Sequence, residues 1–217
     1  MSIAQPSFPR KRESSGSSLR RRWVPACAGT TFVAIVYAFS LSGVARADES
    51  KSISPYAATP DSVVNAMLAL ASVGPRDFVI DLGSGDGRLV IAAARQHGAK
   101  GLGVDIDAKL VGLAKRFAAR DGVEDRVEFL EQDLFETDLR AATVVTIYLL
   151  PSIMGRVAEK LASELAPGTR VVVHDFPLPG WRVERVSSFD VPEKRDYTFN
   201  ERATIYLYTV PQRPPSR

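Results

Sequence analysis

The chain of 217 residues predicts an α/β fold, a doubly wound sheet of seven strands with a C-terminal antiparallel hairpin. Three observations predict it. Short β-branched runs alternate with longer helical patterns, an order that requires parallel strands, right-handed crossovers and helices on both faces. The first of these runs stops at an acid and a glycine-rich turn, "FVIDLGSGDGR", at the end of a strand where doubly wound sheets bind ligands. The chain then closes with two strand-like segments and no helix between them.

Taken in order, residues 48–58 are polar, break at Pro55 and read as a linker into a domain spanning 59–210. Thr59-Pro60 offers an N-cap and a proline at the first helical position, and Val64, Met67, Leu68 and Ala71 recur along one helical face until Gly74-Pro75. Strands are expected at Phe78–Leu82, Gly101–Val104, Val127–Leu130, Thr143–Tyr148 and Arg170–His174. Helices are expected at 87–97, 108–120 and 152–165, with Gly122 and Pro167-Gly168 behind the last two. After the fifth strand, "FPLPGW" is too proline-rich for a helix. "RVERVSSFDV" and "RATIYLYTV" supply the closing pair, and 211–217 is a tail.

Charge is unevenly placed. Residues 1–47 hold seven Lys and Arg against Glu13 alone, so the remainder carries 21 basic and 24 acidic side chains. A mildly acidic body argues against a nucleic-acid partner, which needs clustered cations. The single cysteine, Cys27, lies in the leader, which excludes a disulfide framework, a cysteine zinc site and a nucleophilic cysteine in the body; two histidines are too few for a histidine-rich metal site. From Trp23 to Ala45 no residue is charged, three arginines precede it, and Ala45-Arg46-Ala47 follows, the order of a cleaved secretory signal peptide. An uncleaved membrane anchor is the rival. Both predict a body outside the cytoplasm, periplasmic or anchored at the inner membrane. The first thirty residues resemble peptides read from repetitive intergenic DNA, so a start downstream, which would leave the protein cytoplasmic, is a third reading.

The glycine turn does not match a dinucleotide fingerprint. Its glycines are 83, 85 and 87, and the position three after Gly85 is Arg88. Asp81 stands where it would repel a phosphate and suit a ligand carrying an ammonium group. The second strand ends at Asp105, able to accept from both hydroxyls of a ribose. Past the third lies Asp133, able to accept from an adenine amino group, with Leu134 offering apolar surface to the ring. Asp107 reads as the N-cap of the next helix. Three consecutive strands thus deliver three acids to one rim.

"DLGSGDG", "GVDID" and "EQD" in this order and spacing resemble the class I S-adenosylmethionine-dependent methyltransferases, whose fold is Rossmann-like, over roughly residues 56–210. The resemblance implies S-adenosylmethionine as cofactor. Asp81 and the turn residues Gly83, Ser84, Gly85 and Gly87 would cradle its methionine part, Asp105 with Ile106 its ribose, and Asp133 with Leu134 its adenine.

The segment after the fourth strand, "TIYLLPSIM", lacks the Asn/Asp-Pro-Pro-aromatic signature that holds planar amides and base amines. "SPYAATPDSVVNAML", "DLGSGDGR", the apolar stretch into Pro151 and "FPLPGW" are similar to a group of lysine methyltransferases. Its mitochondrial members modify the ATP synthase c-subunit and the adenine nucleotide translocase. That similarity implies a protein substrate, in that group a membrane protein, with Tyr56 and Thr59 closing over the cofactor and Pro151 and Trp181 lining the acceptor channel. Deprotonation of the acceptor amine nominates Tyr148, His174, Asp175 and Trp181 at the rim. His174 ending a buried strand and Trp181 capping the core are the alternatives for those two. Two other functions stay open: a small-molecule O- or N-methyltransferase, for which 48–75 offers little mass as a lid, and an exported protein that binds the cofactor without turnover.

Overall fold

The computed structural model describes residues 57–196 and 201–211. The leader 1–47, the linker up to Tyr56, Tyr56 itself and the tail from 212 lie outside the described residues. The elements are α1 (Asp61–Leu70), β1 (Phe78–Leu82), α2 (Arg88–His97), β2 (Lys100–Asp105), α3 (Ala108–Arg120), β3 (Val127–Glu131), β4 (Val144–Ile147), α4 (Met154–Glu164), β5 (Arg170–His174), β6 (Arg185–Asp190) and β7 (Arg202–Thr209). They build one seven-stranded sheet among the described residues, ordered β3-β2-β1-β4-β5-β7-β6. The first five strands are parallel, and β7 runs antiparallel to both β5 and β6.

Strand order reverses between β1 and β4, so a crevice opens beyond their carboxyl ends. Helices seal both faces. Val63, Met67 and Leu68 of α1 pack with Val79, Val144 and Val172 on one side. On the other, Val157 and Leu161 of α4 pack with Ile80, Ile147 and Val173. Burying each such side chain contributes roughly 1.5–3 kcal/mol, which is why these strands read as continuous apolar runs rather than alternating ones.

Two expectations are corrected. Thr59 makes no side-chain cap: Pro60 holds the cap position without a side-chain hydrogen bond, and Thr59 instead presents its carbonyl to Arg88. The helix after β4 starts at Met154, because Pro151–Ile153 first form a 3₁₀ turn. In the closing pair the later strand lies inside the sheet and the earlier one at the edge. Burial explains this order: β7 buries Ala203, Ile205, Leu207 and Tyr208, whereas β6 has no buried residue and suits a solvated edge. No helix of the described residues is long and apolar enough to cross a membrane.

Candidate active site

The turn after β1 is built on left-handed backbone. Gly83, Gly85 and Gly87 have φ of +79°, +55° and +79°, a region that side chains disfavour. The chain therefore doubles back across the sheet. Gly83 and Ser84 donate their N–H groups to the Val104 carbonyl at 2.9 Å, and Gly85 donates to Asp105 Oδ2 at 2.8 Å. The turn and the strand ends enclose a cavity of about 360 Å³.

All three rim acids reach this cavity. Asp81 is buried and accepts from the Thr146 hydroxyl at 2.7 Å. Burial pushes its carboxyl up to about 7, against the Thr146 hydrogen bond, and the nearby Asp105 and Asp86 carboxylates add to the rise. An acid so placed gains most from a cation. Asp105 also accepts from the Asp107 N–H through Oδ1 at 3.0 Å, so the backbone orients both of its oxygens. Asp133 accepts from the Phe135 N–H through Oδ1 at 2.8 Å. Asp107 caps α3 by accepting from the Lys109 N–H at 2.8 Å. Ile106 and Leu134, with Leu110, give the cavity apolar walls, and Thr59, Gly83, Ser84 and Gly85 also line it. The Ser84 Oγ is buried with no hydrogen-bond partner in the protein.

The remaining expected site residues divide. Tyr148 lines the cavity at the end of β4. Gly87 does not line it; this glycine is the N-cap of α2, and a Cβ there would come within 2.6 Å of the Phe129 ring. His174 is wholly buried, with its ring centroid 4.1 Å from that of Tyr148. Burial pushes its pKa down to about 4, Asp175 opposing the shift and Lys194 adding to it, so its imidazole is neutral near pH 7. Asp175 accepts from Lys194 Nζ at 2.5 Å and from the Thr204 N–H at 3.1 Å, and is not on the cavity wall. Pro151 is exposed and starts the 3₁₀ turn, while Ile153 behind it lines the cavity.

Trp181 is displaced from the crevice altogether. It packs edge-on to Tyr208 at 6.1 Å and lines a separate groove with Leu165 and Val183. The reason is the turn before it, where Tyr208 Oη accepts from the Leu178 N–H at 2.9 Å and draws the segment over the core. Trp181→Ala should cost about 2 kcal/mol of stability and leave affinity for S-adenosylhomocysteine unchanged, as calorimetry and thermal denaturation will read.

Two contributors escaped the sequence reading. Thr146 faces Asp81 across the β1–β4 ladder; its only sequence signal is a hydroxyl within an apolar run. Arg88, read there as a missing glycine, donates through Nε and Nη2 to Asp86 at 2.9 and 2.6 Å and through Nη1 to the Thr59 carbonyl at 2.8 Å. It thereby ties residues 57–59, which form one wall of the cavity, to the glycine turn.

Residues 81–185 match the ANTKMT methyltransferase domain. The chain is 39% identical over 157 residues to a protein-lysine N-methyltransferase of Saccharolobus islandicus, covering 72% of this chain and 93% of that one. It is 37% identical to the mouse adenine nucleotide translocase lysine N-methyltransferase over 145 residues, 63% of each chain. Among solved structures, an RNA methyltransferase from Salinibacter ruber in complex with S-adenosyl-L-homocysteine superposes with a TM-score of 0.65 at 45% identity, covering 74% of this chain and 98% of that one.

Proposed function

Because the chain belongs to the ANTKMT methyltransferase family, we propose that it transfers methyl from S-adenosylmethionine to the side-chain amine of a protein lysine. The observation that carries this reading is the S. islandicus relative, named for that activity and matched over nearly its whole length. Animal relatives are named as lysine methyltransferases of the adenine nucleotide translocase and of the ATP synthase c-subunit.

The donor set fits the cofactor. A buried acid of raised pKa, a partnerless Ser84 hydroxyl, two backbone-oriented carboxylates and apolar walls match an ammonium group, a ribose diol and an adenine. When bound, S-adenosylmethionine supplies a methyl group on a positively charged sulfur. In this reading Asp81, held by Thr146, receives the ammonium group, Asp105 accepts from the ribose, and Asp133 accepts from the adenine amine through Oδ2. Tyr148, Leu149 and Ile153 make a drier wall that disfavours the charged form of an acceptor lysine. Alignment of the neutral amine supplies most of the acceleration.

Arg88 acts at a distance from this chemistry. Arg88→Ala frees the Thr59 carbonyl and takes one cation from the buried Asp86. We expect S-adenosylhomocysteine affinity to fall about tenfold, equivalent to ~1.4 kcal/mol, as titration calorimetry will read.

The S. ruber protein favours RNA as a second acceptor class, against which stands the acidic balance of the body. The deciding experiment incubates the full chain with methyl-labelled S-adenosylmethionine and the membrane and soluble fractions of a bacterial extract. Label that resists nuclease, is lost to protease and is recovered as methyl-lysine supports the proposal; nuclease-sensitive label overturns it. Export belongs to the same proposal, and the mature N-terminus read by mass spectrometry decides whether residues 1–47 are removed.

A further inference from the structure

We infer that His174 is a positioning residue for methyl transfer, setting from below the tilt of the Tyr148 ring that walls the crevice. The inference rests on the lysine-methylation reading. Ile147 and Val173 are the last paired residues of the β4–β5 ladder, so Tyr148 and His174 are the next residues on neighbouring strands and share a face of the sheet. Their rings meet at 4.1 Å with planes inclined by 35°. Tyr148 is half-buried and lines the cavity, whereas His174 is wholly buried and does not.

Neither nitrogen of His174 makes a hydrogen bond, which in a buried ring costs about 1–3 kcal/mol per group. The ring is therefore placed by packing, and one of its packing partners is Tyr148. Asp175 Oδ1 lies 3.4 Å from His174 Nε2, and Lys194 Nζ sits 2.5 Å from the other carboxylate oxygen. With its carboxylate neighbour already paired, the imidazole stays neutral. That suits a site receiving the cofactor's sulfonium, because an imidazolium behind Tyr148 would repel it. A tyrosine face attracts cations only in directions set by its ring plane. Tilt is thus the property that His174 controls.

The test compares His174→Ala, His174→Phe, Tyr148→Leu and the double variant His174→Ala/Tyr148→Leu in the full chain. S-adenosylhomocysteine binding is read by calorimetry. Initial rates are measured at saturating labelled S-adenosylmethionine against increasing amounts of bacterial extract protein. His174→Ala and Tyr148→Leu should each keep affinity for S-adenosylhomocysteine within about threefold and each lower the maximal rate at least about tenfold. The double variant should be no slower than the slower single. His174→Phe, which keeps a ring without nitrogens, should recover most of the rate. Losses that multiply in the double variant, or a His174→Ala rate that equals wild type, would overturn the assignment, as would a His174→Phe variant that binds S-adenosylhomocysteine normally yet turns over no faster than His174→Ala. Should His174→Ala not fold, Tyr148→Leu and His174→Phe carry the same comparison. Wild type that labels no protein lysine removes the underlying reading, an outcome visible before any variant is made.

Discussion

Asp81→Asn should weaken cofactor binding severely and at the same time make the ligand-free protein more stable. The usual aspartate pKa is 3.8, and burial raises that of Asp81 to about 7. Between about pH 4 and 7 the folded protein therefore holds a proton that the unfolded chain has released. The contribution of Asp81 to stability is most favourable below that window, declines as pH rises through it and levels off above 7. At pH 8 the whole shift is felt, about 4 kcal/mol at 1.36 kcal/mol per unit. Asparagine has the same shape and can still accept from Thr146 through its amide oxygen, but it has no charge to strip of water. A gain of about 2–4 kcal/mol raises Tm by roughly 5–10 °C for a domain of this size. The same variant loses the anion opposite the cofactor's ammonium group, and an affinity loss of at least about a hundredfold, ~2.7 kcal/mol, is expected. In the wild type, binding should tighten as pH rises through 7 and Asp81 ionises, while the asparagine variant should show no such slope. Calorimetry with S-adenosylhomocysteine and thermal melts at pH 6, 7 and 8 read both effects. A lower Tm for the variant at pH 8 would show that the carboxylate is not held at a cost.

The Asp81 pair also marks where sequence reasoning stops. Asp81, Asp105 and Asp133 were legible because each ends or follows a strand, and parallel topology sends such positions to one edge. The bounds of β1 and β5 were legible for a related reason: their apolar runs are buried on both faces and stop sharply at polar residues. Thr146 was not, since its link to Asp81 spans 65 residues and depends on strand register. Nor was the Arg88 bond to Thr59, which joins residues 29 apart. The placement of β7 inside the sheet follows from a competition between two strands for burial, and local pattern cannot rank the competitors. That placement in turn buries His174, which pairs with Ile205 of β7.

Gly87 brings the same lesson to the glycine turn itself, where sequence offered one explanation for three glycines and the structure requires two. Gly83 shapes the cavity: a Cβ there would meet Leu149 at 2.8 Å. Gly87 serves the core instead. Phe129 of β3 lies in a slot whose walls are Gly87 and Gly103, and a Cβ on either would approach its ring to 2.6 Å; at Gly87 the methyl of Ala114 would also lie at 2.8 Å. Gly87→Ala carries two penalties. A left-handed alanine costs about 1–2 kcal/mol, and overpacking a buried aromatic costs about 1–3 kcal/mol more. The sum, about 2–5 kcal/mol, is large for a domain whose total stability is of order 5–15 kcal/mol. Shortening the ring partner separates the two: Phe129→Leu alone leaves a void and is destabilising, but combined with Gly87→Ala it relieves the clash while the backbone strain persists. The double variant should therefore be more stable than the summed single effects predict, by about 1–2 kcal/mol in a denaturation cycle. Strict additivity would mean that the left-handed backbone, and not the Phe129 slot, is what demands glycine at position 87.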